Sequence, residues 1–279
     1  MVESSAALAP FVKSIFHPSD FSRASELAFA HALAIALIRR TELVIMHAGR
    51  QSIGDWTRFP PVRKTLEEWQ VLAPGSSRAA VFEKLAVRVT KVSARGDPVQ
   101  ASIAHIEKQK PDLVVLATRG KHGLPLWLKP SLSQAIARQS KAMTLFVPRG
   151  CRGIVSMDGV IQLRRILVPV DHQPDSQEAV IRAVRAAEGF GDNVVEIVVL
   201  HANGGTLPQL DYPESNACSW KRVRRNGDVV ELILDAAQDA DLIVMATEGR
   251  LGAVDAMRGS VTERVVRGAP CPVLAVPAA

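Results

Sequence analysis

PDLVVLATRG at residues 111–120 returns as ADLIVMATEG at residues 240–249, an offset of 129. In both stretches an aspartate opens a run of Val, Leu, Ile and Met that closes on Ala-Thr and a glycine. A run that is apolar throughout, rather than at alternate positions, marks a strand covered on both faces. The surrounding sequence repeats in the same order. SIFHPSD (14–20) matches RILVPVD (165–171) at an offset of 151, and VIMHA (44–48) matches VVLHA (198–202) at 154. GDPV (96–99) matches GDVV (227–230) at 131, and TLFVP (144–148) matches VLAVP (273–277) at 129. One unit is written twice.

Within the first unit, strands are expected near 13–19, 42–48, 86–94, 112–118 and 142–147, and helices near 21–39, 60–84, 97–109 and 131–139. Alternating β and α segments with buried strands predict an α/β fold of two repeated doubly wound domains. Each is expected to be a five-stranded parallel sheet, strand order 3-2-1-4-5, with helices on both faces. The fall in offset from 154 to 131 makes the second copy shorter by about 23 residues, where GGTLPQLDYPESNACSW reads as loop and the first copy reads as helix. Between the copies, IVSMDGVIQL (154–163) places Asp-Gly between two short β-like runs, the signature of a hairpin. The expected division is domain 1 at 1–149, a β-hairpin linker at 150–164 and domain 2 at 165–279.

A chain of 279 residues suits two ordinary domains, and 47% apolar with 22% charged residues suits globular ones. The opening MVESSAALAPFVKSIF lacks the basic and long apolar regions of a secretory signal, so a cytoplasmic protein is expected. Leu27 to Ile38 is interrupted by His31 and falls short of the ~20 residues of a membrane span, so it reads as a buried helix. Three cysteines without a CxxC pair suit neither a disulfide framework nor a zinc knuckle. The net charge of +6 reads as solvated surface rather than a nucleic-acid face, because basic and aromatic residues are not interleaved. Trp56, Trp69, Trp127 and Trp220 accordingly read as core or lid-edge residues.

Ligands of an open parallel sheet lie outside the carboxyl ends of the strands where strand order reverses. In copy two Asp171 ends the first strand, and Ala246 to Gly249 follow the fourth. Gly259-Ser260-Val261 then opens the segment SVTERVVR, whose free N–H groups and hydroxyl suit a phosphate. The alternative is that Gly249 makes a turn while Ser260 and Asp171 merely cap helices.

At these residues both copies resemble the universal stress protein family, over about 13–148 and 165–277. Nucleotide-binding members carry G-x2-G-x9-G-[ST] after the fourth strand and an aspartate after the first. The resemblance implies an ATP site, with or without Mg²⁺, at Asp171, Ala202, Met245, Ala246, Gly249, Arg250, Gly259, Ser260 and Val261. It departs at Ala246, where the pattern has glycine. The degenerate equivalent in copy one is Asp20, Ala48, Ala117, Gly120 and Ser131, with Pro130 in place of a phosphate glycine and so without its N–H. The resemblance further implies pairing through the final strands TLFVP and CPVLAVP, as an intrachain pseudo-dimer or a homodimer.

Three functions follow from different premises. The first is a stress-response protein that binds an adenine nucleotide in domain 2 and acts by regulation or association, with at most weak ATPase activity. The second is a scaffold whose crevices bind no nucleotide. The third is a metal protein or enzyme using His17, His47 and His122 in copy one, imidazoles that with Asp20 would suit Zn²⁺. The bland alternative for these residues is that His47, matched by His201, sits at an ordinary strand end, while His17 packs beneath the loop and His122 is exposed. His172 and His201 flank Asp171, but no nucleophile elbow, Walker motif or dinucleotide fingerprint accompanies them. No catalytic set is legible.

Overall fold

The repeated aspartate of the opening stretch is a clamp. Asp112 Oδ2 accepts the backbone N–H groups of Lys13 (2.8 Å) and Ser14 (2.9 Å). Its counterpart Asp241 accepts those of Arg164 (2.8 Å) and Arg165 (3.0 Å). In each copy one carboxylate thus ties the start of the fourth strand to the start of the first. The repeated Gly-Asp is a second shared device. Gly96 and Gly227 take φ of +113° and +150°, a region glycine enters at low cost. Asp97 and Asp228 then cap the next helix through N–H groups of its first turn.

The computed structural model describes residues 12–49, 56–118, 135, 142–191, 193–202, 205–247 and 260–278. Copy one contributes β1 (Ser14–Pro18), α1 (Arg23–Arg39), β2 (Glu42–Gly49), α2 (Val62–Glu68), α3 (Ala80–Leu85), β3 (Arg88–Arg95), α4 (Pro98–Gln109), β4 (Leu113–Thr118) and β5 (Met143–Pro148). Copy two contributes β6 (Arg165–Val170), α5 (Gln177–Phe190), β7 (Val195–His201), β8 (Cys218–Arg224), α6 (Val229–Ala236), β9 (Leu242–Thr247), α7 (Val261–Gly268) and β10 (Val273–Pro277).

The strands form one ten-stranded sheet, ordered β3-β2-β1-β4-β5-β10-β9-β6-β7-β8. Each half has the expected order 3-2-1-4-5 and is parallel. The halves meet through β5 and β10, which run antiparallel with Leu274 opposite Leu145. The final strands therefore pair within one chain, and two apolar edges become the centre of a shared sheet. At its outer edges, β3 carries Arg88, Lys91 and Arg95, and β8 carries Lys221, Arg222 and Arg224. Cationic edges of this kind oppose further strand addition.

α1 and α5 lie on one face over a core that runs through both copies, and α4, α6 and α7 lie on the other. Leu27 to Ile38 lies within α1, whose alanines let the helix sit close to the sheet. One point differs from expectation. The helical layer at 60–84 is two short helices: α2 ends where Gln70 turns to φ +59°, and Pro74 and Gly75, the latter at φ +77°, follow before α3. The helix expected at 131–139 lies outside the described residues except for Ala135. In copy two the segment between β7 and β8 carries no helix where it is described. Leu207, Leu210 and Tyr212 pack against the core instead.

The linker is a hairpin turn with a bridge between Val155 and Ile161 and Gly159 at φ +82°. Trp69 Nε1 donates to Met157 O (2.8 Å), and the indole lies against Gly159. Val155 N–H donates to His31 Nε2 (3.3 Å). Toward copy two, Arg152 N–H donates to Pro270 O (3.2 Å) and its guanidinium to Gln238 O (2.5 Å). The linker is thus fastened to both copies.

Candidate functional site

β6 has β7 on one side and β9 on the other, so the carboxyl end of β6 is the point where strand order reverses in copy two. Asp171 follows β6 there. Its backbone N–H donates to Ser176 Oγ (3.2 Å), and its Oδ1 accepts His172 N–H (2.8 Å). Ala202 follows β7 and is buried, as is Met245 near the end of β9. Ala246 lies in β9 opposite Val276 and is not among the residues of positive φ. Alanine is therefore accommodated without backbone strain where the family pattern has glycine.

Ser260 is the N-cap of α7. Its backbone is extended and its Oγ accepts Glu263 N–H at 3.2 Å, the Ser-x-x-Glu capping arrangement. The hydroxyl proton is left to donate outward, beside the first-turn N–H groups that begin with Val261. By topology this helix starts at the carboxyl side of the sheet, as Asp171 does. The cap reading and the ligand reading of Ser260 are compatible, because they use different lone pairs and protons. Gly249, Arg250 and Gly259 lie outside the described residues.

A histidine clasps each crevice. His201 Nδ1 donates to Val170 O (3.1 Å), and His47 Nδ1 donates to Ser19 O (2.8 Å). Ser19 and Val170 are matched residues of the repeat, so second-strand histidines hold the ends of both first strands. His172 Nε2 donates to Thr206 O (3.0 Å) and meets His201 edge-on at 6.0 Å. Both imidazoles flanking Asp171 are bonded to backbone carbonyls, and no acid–base relay is formed between them.

Copy one is built differently at the same place. Asp20 Oδ1 accepts Ser22 N–H (2.9 Å), while Phe21, aligned with His172, takes φ +61°. A bulky side chain rarely adopts that conformation, which persists when its surroundings hold it. The Phe21 ring lies flat on His47, with centroids 4.2 Å apart and planes 11° apart, and meets Phe59 edge-on at 5.2 Å. The Arg58 guanidinium stands 5.4 Å from its centroid. These side chains occupy the ground between the ends of β1 and β2, next to Ala48. Ala117 lies within β4. Gly120, Pro130 and Ser131 lie outside the described residues.

Of the candidate metal ligands, His17 and His47 each bond a backbone carbonyl through Nδ1. His17 is fully buried, with Nδ1 donating to Val115 O (2.9 Å) and Nε2 facing Ser25 Oγ (3.4 Å). Burial pushes it down to about 4, against the pull of the Val115 carbonyl and Asp20. His122 lies outside the described residues. Among the described residues no three His, Cys, Asp or Glu side chains are grouped to hold a metal ion. Trp69 and Trp220 pack against the core, as expected; the side chains of Trp56 and Trp127 lie outside the described residues. Sequence reasoning missed the Phe21–His47–Phe59 cluster. Its one signal was Asp-Phe in copy one against Asp-His in copy two.

A family model described as the universal stress protein family matches residues 12–148 and 207–277. The chain belongs to the universal stress protein family. A universal stress protein of Mycobacterium tuberculosis is 24% identical over 296 aligned residues, covering 91% of this chain and 94% of that protein. One of Thermus aquaticus is 33% identical over 132 residues, covering 44% of this chain and 96% of its own length. Among solved structures, a universal stress protein of Archaeoglobus fulgidus has a TM-score of 0.61 at 18% identity, over 98% of this chain and all of its own. A Pseudomonas aeruginosa protein has 0.63 at 16%, over 96% and 93%. These likenesses establish the double fold. No helix among the described residues is long and apolar enough to cross a membrane.

Proposed function

We propose that this universal stress protein binds ATP, with or without Mg²⁺, at one site per chain in copy two and acts by nucleotide-dependent association rather than turnover. The observation that carries the reading is the pairing of Asp171 with the Ser260-capped start of α7 across the reversal between β6 and β9. A carboxylate there suits ribose hydroxyls or Mg²⁺. A helix N-terminus with a hydroxyl at its cap suits phosphate oxygens. Ala202 and Met245 offer backbone groups on the adenine side. Copy one binds none in this reading, since Phe21 stands on His47 where the ligand would enter, and Pro130 replaces a phosphate glycine. The β5–β10 pairing serves as the pseudo-dimer, and a cytoplasmic setting belongs to this reading.

Melting phosphate-free protein with and without excess Mg-ATP, with AMP for comparison, tests this. ATP at ~100 times its dissociation constant adds about 2.7 kcal/mol and raises the midpoint by several degrees. Gly259→Val, a change read from the sequence pattern, is expected to remove that rise. Calorimetric titration is expected to give one nucleotide per chain, unchanged in Phe21→Ala. An equal rise in Gly259→Val and wild type, or two nucleotides per chain, overturns the assignment to copy two.

A further inference from the structure

The amino ends of the strands, remote from both crevices, hold a second feature in copy one. A cavity of about 340 Å³ opens between the C-termini of α1 and α3 and the starts of β1, β2 and β3. Lys13, Arg40, Arg88, Glu42 and the ring of Phe82 line it, with Arg39 at its side. Arg39 is committed elsewhere, with its guanidinium on Arg185 O (3.1 Å). The other three cations are not. Among the described residues no ion pair involves Lys13, Arg40 or Arg88, and Arg88 only stacks over Phe82 at 5.6 Å.

Nor are these charges spent on closing α1. Arg40, at φ +50°, gives its backbone N–H to Ala36 O and Leu37 O, and Thr41 N–H also reaches Ala36 O. Glu42 N–H and Thr41 Oγ1 hold the Lys13 carbonyl, and Arg88 pairs with Glu42 in the β2–β3 ladder, so the backbone beneath all three side chains is fixed. Copy two is built differently at this position. The cap residue of α5 is Gly191, Ser219 stands where copy one has Arg88, and Glu196 pairs with Arg165 at 2.6 Å. In copy one Ser14 replaces that arginine. Three cations thus converge on one cavity with a single carboxylate among them, beside a Phe82 ring that is 55% exposed.

We infer that this cavity binds a small multivalent oxyanion of the phosphate-ester or pyrophosphate class, held by Lys13, Arg40 and Arg88, with Phe82 receiving any flat apolar portion. Guanidinium groups meet such oxygens two at a time, and the lysine adds a point charge. The site is independent of the nucleotide reading, lying at the other end of the sheet.

Isothermal titration of inorganic pyrophosphate into full-length protein in low-salt, phosphate-free buffer tests it. Gly259→Val serves as the background, so that copy two's phosphate ground is disabled. Saturable binding is expected there, weakened at least about tenfold in the Lys13→Gln/Arg40→Gln/Arg88→Gln variant. All three side chains are exposed, so the fold should survive the changes. A control variant, Lys221→Gln/Arg222→Gln/Arg224→Gln on β8, should bind as the background does. Absence of binding, loss in Gly259→Val but not in the triple variant, or equal weakening by the β8 control overturns the inference.

Discussion

Acidification from pH 7 to pH 4 is expected to remove about 6 kcal/mol of folding stability through two histidines, His17 and His31. Both are buried and both lie at about 4, down from 6.5, chiefly because burial disfavours the imidazolium. In His31 the bonds also fix the neutral form. His31 Nδ1–H donates to Leu27 O (2.8 Å) while Nε2 accepts the Val155 N–H, so a proton on Nε2 would face another hydrogen. His17 has Nδ1 on Val115 O and Nε2 toward the Ser25 hydroxyl, which can accept a bond from a protonated Nε2, so there burial rather than bonding opposes the charge. The unfolded chain takes up protons as the pH falls through 6.5, and the folded chain does so only near 4. Stability is therefore intact above 6.5 and lost on the way down to 4. Each histidine accounts for about 3 kcal/mol, from 1.36 kcal/mol per pH unit of displacement. Urea unfolding at pH 7, 6 and 5 measures the slope. His31→Gln should lower stability at pH 7 yet reduce the slope by about one proton, the one that His31 takes up only in the unfolded chain. An unchanged slope would show that His31 is not held neutral.

The fold was legible because its devices are local and repeated. Asp112 and Asp241 could be matched by position, and the structure gives the match a cause, since each bonds to the same two N–H groups of its own first strand. The Gly-Asp pairs likewise announce a turn and a cap. What sequence pattern hid was conformation set by tertiary contact. Nothing local to Asp20-Phe21 signals a left-handed phenylalanine, because that backbone state is held by His47 and Phe59, which are far away in sequence. The same holds for the basic cavity, whose three cations come from residues 13, 40 and 88 and share no motif. His17 and His47 suit a metal by type and strand position, but the carbonyls that each bonds through Nδ1, Val115 O and Ser19 O, come from neighbouring segments and cannot be read from spacing.

Gly153→Val is expected to cost about 3 kcal/mol or more, placing the linker among the most substitution-sensitive parts of the chain. A β-carbon at this position would stand 2.6 Å from His31 Cε1 and 2.7 Å from Val155 O. The imidazole cannot withdraw, since α1 holds it on one side through Leu27 O and it is itself fully buried. Val155 is flanked by the hairpin's bonds, Gln162 N–H to Ile154 O and Ser156 N–H to Val160 O, so its carbonyl moves only with the hairpin. Overpacking of this kind costs about 1–3 kcal/mol, and loss of the Val155–His31 bond adds a buried, unpaired N–H. Because Ile154, Val155 and Leu163 belong to the core running under both copies, a displaced linker loosens the packing that joins them. A double-mutant cycle with His31→Ala isolates the cause. Removing the ring makes room, so Gly153→Val should cost at least about 1 kcal/mol less in that background. An equal cost in both would place the obstruction at the Val155 carbonyl, and His31 would then be a bystander to the linker rather than the residue that fixes it.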